Sequence, residues 1–198
     1  IKSFYKISIK KNIPVFSGLG GGTSNSAYLT KYLLKKNINK RLIKKVENVV
    51  GSDFRLFFQP QGYQTKLSKV VNYKKKFKFF ILLIYPNIKC STKDIYSEVK
   101  NYSNKSKVNF AKLSSKKKYI LLINHEINDL QQIVEKKYPI IRKIINYIGI
   151  QDGCHVSKMT GSGSACFGLF KSQKTAKFAL NRIKKKYPNY WSVVTKTI

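Results

Sequence analysis

Arginine is scarce in a chain that is otherwise rich in positive charge. Only four of its forty Lys and Arg residues are arginine, namely Arg41, Arg55, Arg142 and Arg182. Eight Asp and Glu oppose them, and the formal charge is +32 at pH 7. Arginine is the residue suited to bidentate phosphate and guanine recognition, so its shortage argues against specific nucleic-acid binding. The lysines are spread over the whole chain, with short runs at 74–76, 116–118 and 184–186, and they accompany many Ile, Asn, Tyr and Phe. These residues have A/T-rich codons, and base bias gives any protein such a composition. The surface therefore reads as ordinary and solvated, sticking to polyanions at low salt without specificity.

Cysteine and histidine are few as well. Cys90, Cys154 and Cys166 are odd in number and contain no Cys-x-x-Cys. That pattern excludes a disulfide framework and indicates free thiols in a reducing compartment. His125 and His155 form no zinc spacing with them, so no metal site built from protein side chains alone is expected. The longest apolar run, Phe79 to Tyr85, is too short to cross a bilayer, so no membrane association is expected. No signal peptide is visible, and the first residue is Ile1 rather than Met, which leaves a truncated or processed start open. The expected location is the cytoplasm, or an organelle stroma in a eukaryote. Internal repeats and low-complexity linkers are absent. What is present is an apolar share of 42% in patterned segments, as in a folded chain.

Periodicity places the elements. Tyr5 to Ile9 alternates and predicts a strand ended by Pro14. A glycine-rich loop follows at 17–22, and a helix is predicted to start with Thr23 or Ser24 as its N-cap. A second helix over 40–50 carries Leu42, Val46 and Val49 on one face and stops at Gly51. An apolar strand should follow Asp53, then a hairpin near Gly62. The polar stretch Tyr73 to Lys76 reads as a junction. Beyond it come a buried strand over 77–84, a short helix over 92–99 and apolar helical segments near Tyr119 and Leu130. A helix then starts at Pro139. Strands over 155–159 and 165–170, a helix around Ala176 to Ile183 and a last strand over 191–195 complete the chain. This order suits an α+β sandwich of the split βαβ type.

The most informative segment is the loop. Gly18, Gly20, Gly21 and Gly22 stand at a strand-to-helix junction. Glycines let a ligand approach the backbone closely, and several N–H groups can converge on one anion at the positive end of a helix. A phosphate is the natural guest. Thr23, Ser24 and Asn25 add side-chain donors, or ligands for a phosphate-bound Mg²⁺. The loop is neither a Walker A motif, since no lysine follows Gly22, nor a dinucleotide fingerprint, since Thr23 stands where glycine is needed. Among the carboxylates, Asp53 has the most distinctive setting. After a helix stop it suits a cap or turn, and near a phosphate loop it can also accept a proton.

The run Pro14-Val-Phe-Ser-Gly-Leu-Gly-Gly-Gly-Thr-Ser-Asn25 resembles the ATP loop of the GHMP kinase superfamily. Its triple-glycine form is similar to that of the diphosphocytidyl-methylerythritol kinases. Thr23 replaces a serine, and Phe16 and Ser17 replace glycines often found there. Gly51-Ser-Asp-Phe-Arg-Leu-Phe-Phe58 resembles the segment with the catalytic aspartate, with Arg55 where proline is usual. The stretch around Ser91, Thr92 and Tyr96 resembles the segment whose aromatic stacks on cytosine, and Met159-Thr-Gly-Ser-Gly163 resembles the third GHMP motif. Asn128-Asp129-Leu130 also matches a family segment, read as structural with Asp129 capping the helix it precedes.

The resemblance implies the following. Lys11, Pro14, Val15, Phe16, Ser17, Gly18, Leu19, Gly20, Gly21, Gly22, Thr23 and Ser24 would bind ATP, with Mg²⁺ as its counter-ion. Asp53 would be the catalytic base, Tyr96 and Thr92 would contact the substrate, and Gly161, Ser162 and Gly163 would shape the phosphate site. The acceptor would be the 2-hydroxyl of a cytidine-diphosphate methylerythritol in isoprenoid synthesis, and the protein a monomer or weak homodimer. Residues 1–74 would be the C-terminal part of a ribosomal-S5-like α/β domain, and 75–198 a ferredoxin-like domain. Family members begin with a longer segment bearing Pro-Ala-Lys-Ile-Asn-Leu and Asp-Gly-Tyr-His stretches, which this sequence lacks. An exposed sheet edge and an incomplete active site are therefore expected. The alternatives are another GHMP kinase, of homoserine or mevalonate type, and a basic nucleic-acid-binding protein.

Overall fold

The continuous apolar run beyond the lysine-rich junction becomes the middle of a sheet. The computed structural model describes residues 4–67, 69–104 and 113–197. Its first part holds α1 (Gly21–Leu34), α2 (Lys40–Val50), a 3₁₀ segment (Ser52–Phe58) and the hairpin β1 (Gly62–Lys66) with β2 (Lys69–Asn72). The second part holds β3 (Phe80–Tyr85), α3 (Thr92–Ser97), α4 (Lys116–His125), α5 (Asp129–Lys137) and α6 (Ile140–Gly149). It ends with β4 (Cys154–Met159), β5 (Cys166–Phe170), α7 (Gln173–Lys186) and β6 (Trp191–Lys196).

The larger sheet has the order β4-β5-β3-β6, with every neighbouring pair antiparallel. Within this half the strands lie fourth, first, third, second from one edge, which is the ferredoxin-like arrangement expected. Leu82 of β3 faces Gly168 of β5 on one side and Val194 of β6 on the other. Helices α6 and α7 cover one face. Ile141, Ile144, Ile145 and Ile148 keep helical spacing and are all buried, against Leu82, Ile84, Phe170 and the Ala176–Ala179–Ile183 stripe of α7. Burial of each such isoleucine contributes about 1.5–3 kcal/mol. Gly168 makes the close approach possible, because a Cβ there would sit 2.4 Å from Ile148 Cγ2. Ser172 and Thr175 form a capping box that starts α7. On the opposite face, Phe77, Phe79, Val156 and Leu169 pack against Tyr119, Ile120 and Ile123 of α4.

The first part packs around the 3₁₀ segment. Phe54 and Ala27 are fully buried, and the Lys31 ammonium of α1 donates to the Phe57 carbonyl at 2.5 Å. Gln61 holds the backbone of Phe77 at both its groups, at 3.0 and 3.2 Å, and Tyr73 stacks on Tyr63 and meets Tyr119 edge-on. The polar junction around Tyr73 is therefore stitched to the second part by rings and an amide.

Several expectations are corrected. Residues 4–12 form no strand. Tyr5, Ile7 and Ile9 are each at least half exposed, because alternation makes a strand only where a partner strand accepts its hydrogen bonds. The residues after Gly51 form a 3₁₀ helix rather than a strand; four residues of extended strand would set Phe54 and Phe58 about 13 Å apart, and the shorter rise of the helix lets their rings meet at 5.1 Å. Val49 is exposed; Leu42, Ile43, Val46 and Val50 are half-buried, and the buried residue of α2 is Glu47. The N-cap of α1 is Gly20, not Thr23 or Ser24. Asn128, not Asp129, caps α5.

Candidate active site

The helix start explains what the loop can do. Gly20 is left-handed, at φ 64°, and no side chain caps the first turn of α1. A Ser or Thr in that place would have used its own oxygen on the first-turn N–H groups. Glycine leaves them open, with no acidic residue in the turn to compete for them. An anion arriving there meets bare amides and the positive end of the helix.

These amides line a cleft of about 290 Å³ bounded by Lys11, Ile13 and residues Pro14 to Gly22. Ten of the twelve residues expected at ATP thus line one concavity. Ser24 lines an adjoining cleft of about 170 Å³, which also includes Lys10 and Lys11, and Thr23 lines neither. Phe16, 60% exposed, stands at the cleft with a left-handed φ of 59°, and the Lys89 ammonium lies 6.0 Å from its ring centre. That backbone conformation costs a non-glycine residue about 1–2 kcal/mol.

The third motif docks directly on the loop. Thr160 Oγ1 donates to the Gly18 carbonyl at 3.1 Å, and the Ala165 N–H donates to the Ser17 carbonyl at 3.1 Å. Ser17 is buried, with its hydroxyl donating to Pro14 O at 2.7 Å. Gly18 has φ 71°, and a Cβ on it would lie 2.7 Å from Thr160 O and 2.9 Å from Gly163 O. Only glycine permits this contact. Residues 17–18 and 160–165, far apart in sequence, form one backbone-to-backbone unit.

The helix expected to face the acceptor joins the same unit. Thr92 Oγ1 and Ser162 Oγ are 2.9 Å apart, so Thr92 at the start of α3 holds the glycine turn rather than standing free. Tyr96, one turn later on α3, is half exposed, so its ring is not part of the core.

Asp53 is on the 3₁₀ segment, exposed, with no side-chain partner among the described residues. Its own side chain does not line the cleft, but its segment reaches the loop, since the Phe57 ring lies 3.4 Å from where a Gly20 Cβ would be. The segment is tied to α2 by the Arg55 guanidinium, whose Nε donates to both Glu47 carboxylate oxygens at 2.9 Å. That hydrogen-bonded guanidinium holds the Glu47 carboxyl below the usual range, and the same pairing raises Arg55. Arg55, at the position where the resemblance led proline to be expected, fixes the segment to α2 through this ion pair.

The thiols take no part. Cys90 and Cys166 are buried and Cys154 half-buried, and all are free. Burial pushes all three up, Cys154 to about 11, so none is a thiolate at neutral pH. Among the described residues, no cluster of His, Cys, Asp or Glu could hold a metal ion, and no helix is long and apolar enough to cross a membrane. Sequence reasoning missed Thr160, which reaches Gly18, and the amide of Asn128, which donates to Gly161 O at 2.9 Å. Two adjacent capping residue types, Asn128 and Asp129, were the visible signal for the second.

A kinase of the GHMP class is what this fold and loop pairing define, and residues 113–189 match the family model described as GHMP kinases C terminal. A 4-diphosphocytidyl-2-C-methyl-D-erythritol kinase of Pelagibacter ubique is 35% identical to the chain, over 98% of it and 69% of the relative's own length. The chain belongs to the 4-diphosphocytidyl-2-C-methyl-D-erythritol kinase family. A crystal structure of 4-(cytidine 5'-diphospho)-2C-methyl-D-erythritol kinase superposes with a TM-score of 0.69 at 20% identity, over 93% of this chain and 68% of that one. Homoserine kinase from Cytophaga hutchinsonii gives 0.62 at 16% identity, over 95% and 68%. At these identities the two solved structures speak for the fold alone.

Proposed function

We propose that the intact protein transfers the γ-phosphate of MgATP to the 2-hydroxyl of 4-diphosphocytidyl-2-C-methyl-D-erythritol, a step of non-mevalonate isoprenoid synthesis. The observation that carries this reading is the docking of Thr160–Ala165 on Ser17–Gly18 beside the uncapped start of α1. The homologous kinases carry the same named activity over nearly the whole chain. Residues 1–74 serve as the nucleotide-side domain and 75–198 as the second domain.

Phosphoryl transfer needs chiefly positioning and charge neutralisation. The N–H groups of Gly20 to Gly22 bind the phosphate oxygens, and Lys11 adds a cation at the cleft. Mg²⁺ enters with ATP. The Thr23 and Ser24 hydroxyls at the start of α1 would be the protein groups to ligate it, beside the phosphate oxygens it arrives with. The acceptor hydroxyl attacks the γ-phosphorus, ADP leaves, and the hydroxyl proton passes to the Asp53 carboxylate. Tyr96 stacks on the cytosine, and Thr92, bonded to Ser162, keeps the acceptor side in register with the phosphate side. The location is the cytoplasm or an organelle stroma.

Asp53→Asn in the intact protein tests the assignment. General-base removal lowers turnover roughly 10²- to 10⁴-fold, while MgATP affinity stays within about twofold, since Asn keeps the shape and a dipole. Phosphate transfer to this acceptor, to homoserine and to mevalonate, each followed by ADP release, should show activity with the first alone. Near-normal turnover in the variant removes Asp53 from the mechanism.

A further inference from the structure

The polar edge of α5 takes no part in the chemistry described, yet it holds the turn that braces the ATP loop. Asn128 uses its side chain twice. Its Oδ1 accepts from the Leu130 N–H at 3.1 Å and caps the helix. Its Nδ2 donates to Gly161 O at 2.9 Å and to Met159 O at 3.3 Å. Gln131 of α5 accepts the Met159 N–H at 3.0 Å, so both backbone groups of Met159 are held from one helix edge. Gln131 is itself fixed, since its Nε2 donates to Glu135 Oε1 at 2.7 Å and Arg142 Nε of α6 donates to Glu135 Oε2 at 2.8 Å. The contacts run without a gap from Arg142 through Glu135, Gln131 and Met159 to the turn that touches Gly18.

Capping alone does not account for an amide at position 128. A helix cap needs only an oxygen, and Ser or Asp supplies it as well as Asn. The two donated bonds are extra, one ending on the carbonyl just before the turn and the other on Gly161 within it. That turn is soft by composition, with Gly161 and Gly163 both at positive φ. A soft turn facing a phosphate site gains from being set before the nucleotide arrives, because groups already in place need no ordering when the reaction begins.

We propose that Asn128, backed by Gln131, is a positioning residue for phosphate transfer, setting the Thr160–Gly163 turn against the ATP loop. This rests on the kinase-site reading given above. Asn128→Ser keeps the capping oxygen and removes both donors. Asn128→Asp keeps the cap and turns an oxygen toward the two carbonyls.

The test is hydrogen exchange at the Ala165 amide, which donates to Ser17 O, together with MgATP affinity and melting temperature in intact wild type and both variants. Loss of two net hydrogen bonds predicts exchange about tenfold faster and MgATP binding about tenfold weaker in Asn128→Ser, with more in Asn128→Asp. The melting temperature should fall by only a few degrees, since the cap survives and only the two donated bonds are lost. Unchanged exchange and affinity in both variants overturn the proposal, as does an affinity loss that merely follows a fall in melting temperature. A wild-type protein that binds no MgATP refutes the kinase-site reading instead. The Ala165 exchange then decides the role of Asn128 by itself, and an unchanged rate overturns it.

Discussion

Gly18→Ala separates the docked loops more directly than any other single change. The added methyl would sit 2.7 Å from Thr160 O, 2.9 Å from Gly163 O and 3.1 Å from Gly163 N, all backbone atoms that cannot swing aside. The backbone at φ 71° adds strain for any L side chain, about 1–2 kcal/mol. Forcing a methyl into a closed contact costs about a further 1–3 kcal/mol. Together these predict a loss of about 2–5 kcal/mol, shared between folding stability and the docked state of the loops. Urea unfolding reads the first part and MgATP titration the second, with at least about tenfold weaker binding expected if 1.4 kcal/mol of the strain falls on the docked state. Gly149→Ala is the control. Gly149 ends α6 outside the cleft, and its added methyl would meet only the Ser157 Cβ at 3.7 Å, an ordinary contact. Alanine there is neutral or stabilising by up to about 1 kcal/mol. If Gly18→Ala unfolds and binds MgATP like Gly149→Ala, the two glycine loops do not act as one unit and the reasoning fails.

Two further changes probe the parts around that unit. The Glu47 carboxyl is held below its ordinary range by Arg55, so its contribution is present above the unfolded carboxylate pKa of about 4.3 and disappears as pH falls through the lower folded value. Glu47→Gln should cost about 1–3 kcal/mol at pH 7 and flatten the stability decline below about pH 4.3. Thermal melts across pH 2 to 7 check it, and an unaltered acid limb would contradict it. Tyr96→Ala should raise the KM for the cytidine-bearing acceptor roughly 5- to 150-fold, the worth of one base stack of about 1–3 kcal/mol, while Tyr96→Phe preserves it. Steady-state kinetics at saturating ATP measure this, and equal effects of Ala and Phe would remove the stack.

Much of the second half was legible because its signals are local and strong. The run ending at Tyr85, the isoleucine stripe of α6 and the strands flanking the glycine turn each declare their element by spacing. The glycine loop was legible because its composition has few other uses. What stayed hidden depends on partners distant in sequence. Alternation at Tyr5 to Ile9 records which residues share a face, but nothing local says whether a neighbouring strand exists. The 3₁₀ form of Ser52–Phe58 brings the Phe54 and Phe58 rings close enough to meet and lets Arg55 reach Glu47, and neither contact shows in the segment itself. The N-cap of α1 was misplaced because Thr23 and Ser24 are better cap formers than Gly20, and here an open helix end outweighs a capped one. Asn128 and Asp129 are equally good caps on paper, and only the position of Gly161 distinguishes them.

The central claim is that backbone amides at the start of α1, braced by the turn near Gly161, receive the phosphates of ATP. Amide chemical shifts during an MgATP titration of the isotope-labelled protein test it residue by residue. The account predicts the largest shifts at Gly18 to Ser24, with Gly161 to Gly163 following at the same midpoint. Shifts confined to the lysine-rich end of α7, with the glycine amides silent at saturating nucleotide, would contradict it.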